Sequence, residues 1–178
     1  MADRQDVSVI VPLENAREQA IDALLDAAFG PDRHGRTAYR IRDGMAWLPS
    51  LSFAMMADDG RLIGSLQSWP VALRNRTGAQ VDLIMVGPVA VDPAVQGEGH
   101  GRALMDAVVA AAREQRSETL MMIGDPEYYG RFWGFSADGT AGWNAPGPFD
   151  PRRLLALPVD GQAVGGTGML GPRVAVSG

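Results

Sequence analysis

Three glycines, at 97, 99 and 101, follow Gln96 within the run AVQGEGHG, and Arg102 comes directly after them. Before the run stands VDLIMVGPVAVDP, and after it RALMDAVVAAAREQR. Residues of this type in this spacing suit one task. Glycine lets a loop curl so that successive backbone N–H groups point the same way, and lets a ligand approach the backbone closely. A helix starting there adds the N–H groups of its first turn, which have no intrahelical partner. The helix dipole favours negative charge at that end by about 0.3–1 kcal/mol in an exposed setting. The result is an anion site suited to phosphate oxygens, with Arg102 on the first turn able to add a charged contact.

The elements needed to hold such a site are present. Val81 to Val91 is a β-rich apolar run interrupted by Gly87-Pro88. Proline cannot donate to a strand ladder, so a strand that keeps one has a bulge or an unpaired edge there. From 101 to 116 the spacing is helical: Leu104, Val108 and Ala111 form one line, Met105, Val109 and Ala112 the next, and Arg102, Asp106 and Arg113 fall opposite. The order is strand, glycine loop, helix. An ATP-type phosphate loop would require G-x-x-x-x-G-K-[ST], and the chain has no lysine. A dinucleotide loop would require a third glycine where Arg102 stands.

On these residues the chain resembles the GNAT superfamily of N-acyltransferases. That family's acyl-CoA pyrophosphate loop reads [QR]-x-x-G-x-[GA], matched by Gln96, Gly99 and Gly101. It follows a strand ending hydrophobic-x-Val-x-Pro, matched by Val89-Ala90-Val91-Asp92-Pro93. The Val-Gly-Pro-x-Ala-Val phrase is similar to the YhbS-like branch of predicted N-acetyltransferases. The resemblance implies a mixed, mostly antiparallel α/β sheet flanked by helices, with a splayed central strand pair that admits the pantetheine arm. It implies that Val89, Ala90, Val91, Gln96, Gly97, Glu98, Gly99, His100, Gly101 and Arg102 bind acetyl-CoA, with Val89 N–H serving a developing oxyanion. His100 stands where the family has an aliphatic residue. It is read first as a side chain packed at the helix start, with a phosphate contact as the alternative.

Acyl transfer from a thioester to an amine also benefits from a proton donor for the departing thiolate. The family uses a tyrosine in a Y-x-x-x-G-F phrase. Here the phrase is Tyr129-Gly-Arg-Phe-Trp-Gly-Phe, one residue longer. Tyr129 is therefore expected as the donor and Tyr128 as its alternative. Glu127, Asp125 and Asp82 are candidates for a general base by position only, and a water chain serves equally.

The remainder of the chain reads as follows. Val7–Leu13 is a strand, and 16–28 a helix with a capping box from Asn15 to Glu18, closed at Gly30-Pro31. Residues 36–43 form a short helix. Over residues 32–50 four arginines (33, 36, 40 and 42) interleave with Tyr39, Ile41, Met45 and Trp47. This is either a substrate-facing segment or, the first reading, a solvated face with aromatic anchors. Strands at 51–57 and 61–71 meet at an Asp58-Asp59-Gly60 hairpin, and a turn over 73–79 leads to the strand at 81–91. Thr119–Ile123 suits a parallel strand after a crossover. Asp125 and Pro126 start a helix to Trp133, closed by Gly134. A Gly- and Pro-rich loop, 136–151, precedes a strand at 153–159, and a last strand is expected at Arg173–Val176.

The 178 residues, 46% hydrophobic and 21% charged, predict one domain, 1–178. A net charge of −5 argues against a general nucleic-acid binder. With no cysteine and two histidines, disulfides, a cysteine nucleophile and a structural zinc site are not expected, nor is any metal cofactor. Met1–Leu13 holds no long apolar core and no run reaches a membrane span, so a cytoplasmic protein is expected, with no membrane or nucleic-acid partner, as monomer or homodimer. The function expected is transfer of an acetyl group from acetyl-CoA to a primary amine, small-molecule in the first instance and otherwise on a protein or peptide. The alternative is a non-catalytic acyl-CoA-binding sensor or structural module of the same fold.

Overall fold

The computed structural model describes residues 7–161 and 163–175. Its elements are β1 (Val9–Pro12), α1 (Glu18–Phe29), α2 (Thr37–Ile41), β2 (Phe53–Met56), β3 (Leu62–Arg74), β4 (Gln80–Val91), α3 (His100–Gln115), β5 (Leu120–Ile123), α4 (Pro126–Trp133), β6 (Trp143–Asn144), β7 (Leu154–Leu157) and β8 (Gly168–Pro172). The sheet runs β1-β2-β3-β4-β5-β7, with β8 on the far half of β3 and β6 beside β8. Among the described residues only β4/β5 and β6/β8 pair in parallel. The mixed, mostly antiparallel architecture agrees with expectation.

Alternation along β4 builds the two faces. Ile84 and Val86 join the buried cluster under α3, with Leu104, Met105, Val108 and Ala112. Leu83 and Met85 enter the opposite cluster, with Ile41, Trp69, Trp143 and Leu154. Between Leu66/Ser68 on β3 the pairing with β4 slips, from Val89 to Val86. Two steps on β3 thus face three on β4, so β4 carries one extra residue at Gly87-Pro88. The Trp69 indole N–H donates to the Gly87 carbonyl at 2.8 Å and ties the bulge down. A single inserted residue inverts a period-two pattern. Beyond the bulge Val89 therefore returns to the α3 side, while Ala90 turns into a third cluster under α1, with Leu13, Ile21 and Leu24.

Three local expectations are corrected. The Asn15–Glu18 capping box does not form. α1 begins at Glu18 behind Arg17, which makes no side-chain cap. Leu13 is fully buried and its N–H is held by the Ser52 carbonyl at 3.0 Å, so the chain turns through Leu13–Asn15 before the helix starts. The last strand is Gly168–Pro172, not Arg173–Val176, of which Val176 lies outside the described residues. Gly168 passes so close to Arg74 that a Cβ would lie 2.5 Å from its carbonyl oxygen. The Arg173 N–H still donates to the Pro70 carbonyl at 3.3 Å, and its side chain donates to the Leu83 carbonyl at 2.7 Å and pairs with Glu118 at 3.3 Å. Finally, the 136–151 loop contains the two-residue strand β6.

Candidate active site

β4 and β5 are paired only at Ile84–Leu120 and Met85–Met121. From the bulge onward β4 keeps β3 as a neighbour and parts from β5. The Asp92 N–H donates to Ile63. In an antiparallel pair the residues that face the partner strand alternate. Ala90 therefore faces β3, and the N–H and C=O of Val89 and Val91 face the gap.

The glycine loop opens onto the same edge. Gly97 and Gly99 have φ of 86° and 84°, and Gly99 is the N-cap of α3. Nothing lies within 4 Å of a Cβ placed on either, so these glycines serve backbone geometry rather than space. The first N–H to close the helix is that of Ala103, onto Gly99 at 3.0 Å. The N–H groups of His100, Gly101 and Arg102 have no intrahelical acceptor. Arg102 stacks over the Phe132 ring at 4.0 Å, which binds the loop end of α3 to α4.

A cavity of about 430 Å³ lies over this unit. It is lined by Val89, Val91, Gln96, Gly97, Gly99, His100, Gly101 and Arg102, together with Phe29, Tyr128 and Tyr129. Eight of the ten residues expected at the cofactor thus converge on one space. The other two do not line it. The Ala90 side chain, 1% exposed, points under α1 because of the bulge. Glu98 turns outward, its Oε2 3.1 Å from His100 Nε2.

A second cavity, of about 800 Å³, continues from the first through Phe29, Val89, Tyr128 and Tyr129, which line both. The two tyrosines stand on α4. Asp125 caps that helix by accepting from the Glu127 N–H at 3.0 Å, and Gly134 closes it at φ 86°. The Trp133 indole N–H donates to Asp106 on α3 at 2.8 Å, tying α4 to α3. Tyr128 is 37% exposed, whereas Tyr129 is half-buried against Trp133 and Phe135. Burial, then the neighbouring Tyr128 and Asp125, raises the Tyr129 phenol above its ordinary pKa of 10.0. It is a protonated group at neutral pH.

Of the three carboxylates expected near the chemistry, only Asp125 lines the larger cavity. Asp82 sits at the far end of β4, 3.7 Å from Arg173, and Glu127 is exposed outside both spaces. Among the described residues no group of three or more His, Cys, Asp and Glu is arranged to hold a metal. No helix among them is long and apolar enough to cross a membrane.

The 32–50 segment is where the sequence reading departs most from the structure. Arg33 and Arg42 are 4% and 8% exposed, not solvated, and they line the larger cavity with Arg36, Thr37 and Tyr39. Interleaving of arginine with aromatics was the signal, but it does not say which arginines point inward. Met122, Gly124 and Arg153 also line the cavity and carried no sequence signal.

A parted strand pair, a glycine loop at a helix start and a tyrosine where two cavities meet define an acyltransferase-type α/β fold. The chain belongs to the GNAT acetyltransferase family, whose family model matches residues 18–135. It is 28% identical over 127 residues, 71% of each chain, to the uncharacterized N-acetyltransferase YhbS of Escherichia coli strain K12. It shares its fold with the crystal structure of Escherichia coli YhbS in complex with CoA, at a TM-score of 0.72 and 24% identity, over 97% of this chain and 93% of that one. A GNAT acetyltransferase from Brucella melitensis in complex with acetyl-CoA aligns at a TM-score of 0.54 and 27% identity, over 86% of this chain and 97% of that one.

Proposed function

We propose that residues 1–178 act as one domain that moves an acetyl group from acetyl-CoA to a primary amine by direct attack. The observation that carries this reading is the parting of β4 from β5. It leaves the Val89 and Val91 backbone facing a cavity continuous with the glycine loop on one side and Tyr129 on the other. The residues present fit the co-substrate. Free first-turn amides and Arg102 suit a diphosphate. A Cβ at Gly101 would stand 3.6 Å from the Val91 side chain, so the helix start packs directly on the parted strand.

In this reading the amine nitrogen bonds to the thioester carbon and the C–S bond breaks. The Val89 N–H donates to the carbonyl oxygen as negative charge develops there. Tyr129 gives its phenolic proton to the departing sulfur and recovers one, by way of solvent, from the attacking nitrogen, which carries a positive charge after attack and loses that proton to become the amide. No side chain is assigned as base.

The test uses the absence of cysteine. A thiol reagent added to protein, acetyl-CoA and a panel of amines reports only released CoA. Amine-dependent release supports the proposal. Tight acetyl-CoA binding by calorimetry, with no amine accelerating release, overturns it in favour of a sensor.

Gly124→Ala probes the placement of Tyr129. A Cβ at 124 would lie 2.7 and 2.8 Å from two carbons of the Tyr129 ring, so the ring must move. A shift of about 1 Å at a reacting group costs up to about 100-fold in rate. The expected outcome is a fall in kcat of about 10- to 100-fold, with acetyl-CoA affinity by calorimetry unchanged.

A further inference from the structure

The larger cavity has an unbalanced charge. Arg33, Arg36, Arg42 and Arg153 line it against the single carboxylate of Asp125. Two of the four arginines have polar partners, Arg33 and Arg153, and Arg36 is exposed to solvent. Arg33 pairs with Asp22 at 3.5 Å and Asp26 at 3.4 Å, Arg36 lies over Phe29 at 5.4 Å, and Arg153 donates to the Gly124 carbonyl at 3.4 Å. Arg42 differs. It is buried, and its guanidinium carbon lies over the rings of Tyr39, at 4.0 Å, and Trp69, at 3.7 Å. Among the described residues it has no carboxylate partner, and its buried Nε has no acceptor. The buried Tyr39 hydroxyl beside it has no well-formed hydrogen bond, its side-chain interaction being with Arg42 itself.

A buried cation with unfilled donors is costly unless something completes it. Burial lowers the Arg42 pKa to about 10, against a smaller opposing pull from Tyr39, so it remains charged at neutral pH. Ring contacts do not use the N–H donors that lie in the guanidinium plane, and such donors match a carboxylate through two parallel hydrogen bonds.

Arg42 and Tyr39 also border a third space of about 560 Å³. Its wall carries the exposed carboxylates Glu14, Glu18 and Asp43, with Asp22 paired to Arg33, so carboxylates outnumber the arginines there. They repel an anion on that side and leave the larger cavity as the place for one.

We propose that Arg42, with the Tyr39 hydroxyl, binds the carboxylate of the acetyl acceptor, so that the acceptor is a small amino acid-type molecule carrying its amine and its carboxylate together. The inference rests on the acetyltransferase reading for the position of the amine, near Val89 and Tyr129. An enclosure of about 800 Å³ is in the range that a small molecule fills.

The test is calorimetric titration of the CoA-saturated protein with free L-amino acids, their amides, and O-phosphoethanolamine. At least one amino acid should bind tenfold or more tighter than its amide. In Arg42→Gln the two should bind alike, and Arg42→Lys should restore part of the preference, which loss of packing alone would not produce. Equal wild-type binding of acid and amide, absence of amino acid binding, a tighter O-phosphoethanolamine complex, or a preference surviving in Arg42→Gln would each overturn the proposal. CoA release is read separately. Its absence with every amine would sink the acetyltransferase reading while an acid-over-amide preference still stood.

Discussion

Tyr129→Phe is expected to lower kcat by about 100-fold, the lower end of what a positioned proton donor contributes. Acetyl-CoA affinity should stay within about threefold, since the lost interaction belongs to the transition state and not to binding. The phenol is placed for this role by burial against Trp133 and Phe135 at the mouth shared by the two cavities. Removing one oxygen leaves that packing in place. The pH dependence supplies a second readout. The active form is the protonated phenol. Burial raises its pKa, so the active form persists to higher pH than for an ordinary tyrosine of pKa 10.0. The alkaline limb of kcat should therefore lie above pH 10 in the parent protein and vanish in Tyr129→Phe. If Tyr128→Phe instead carries the loss and Tyr129→Phe is nearly silent, the proton donor is Tyr128.

Gly99→Val is expected to raise the Kd for acetyl-CoA by about 10- to 100-fold, the equivalent of one lost charge-assisted hydrogen bond at about 1.5–3 kcal/mol. Gly99 sits at φ 84° as the N-cap of α3, a conformation from which β-branched residues are all but excluded. The chain must rotate there, and the amides of His100, Gly101 and Arg102 swing with it. Gly78→Val is the control. Gly78 has φ 86° in the turn between β3 and β4, with open space around it and no part in either cavity. It carries the same backbone strain, so it should lower thermal stability similarly and leave Kd unchanged. A matching rise in Kd for both variants would mean that strain alone accounts for the loss.

The sequence by itself determined the strand–loop–helix unit. Its signals are local: glycines whose positive φ sets the loop, an apolar stripe of period 3.6 on α3, and a proline that a paired strand cannot keep. The hairpin at Asp59-Gly60 and the cap and stop of α4 at Asp125 and Gly134 were legible for the same reason, since each is decided by residues within a few positions. Only the tertiary structure decided which way Ala90 and Val89 face. That follows from a one-residue slip against β3, and register belongs to a pair of strands. It also decided that Arg42 is buried against Tyr39 and Trp69 while Arg40 stays exposed. Trp69 lies far along the chain on β3, and no pattern within residues 32–50 reveals it. Burial of a charged side chain is a property of what packs over it, which a short window of sequence does not contain.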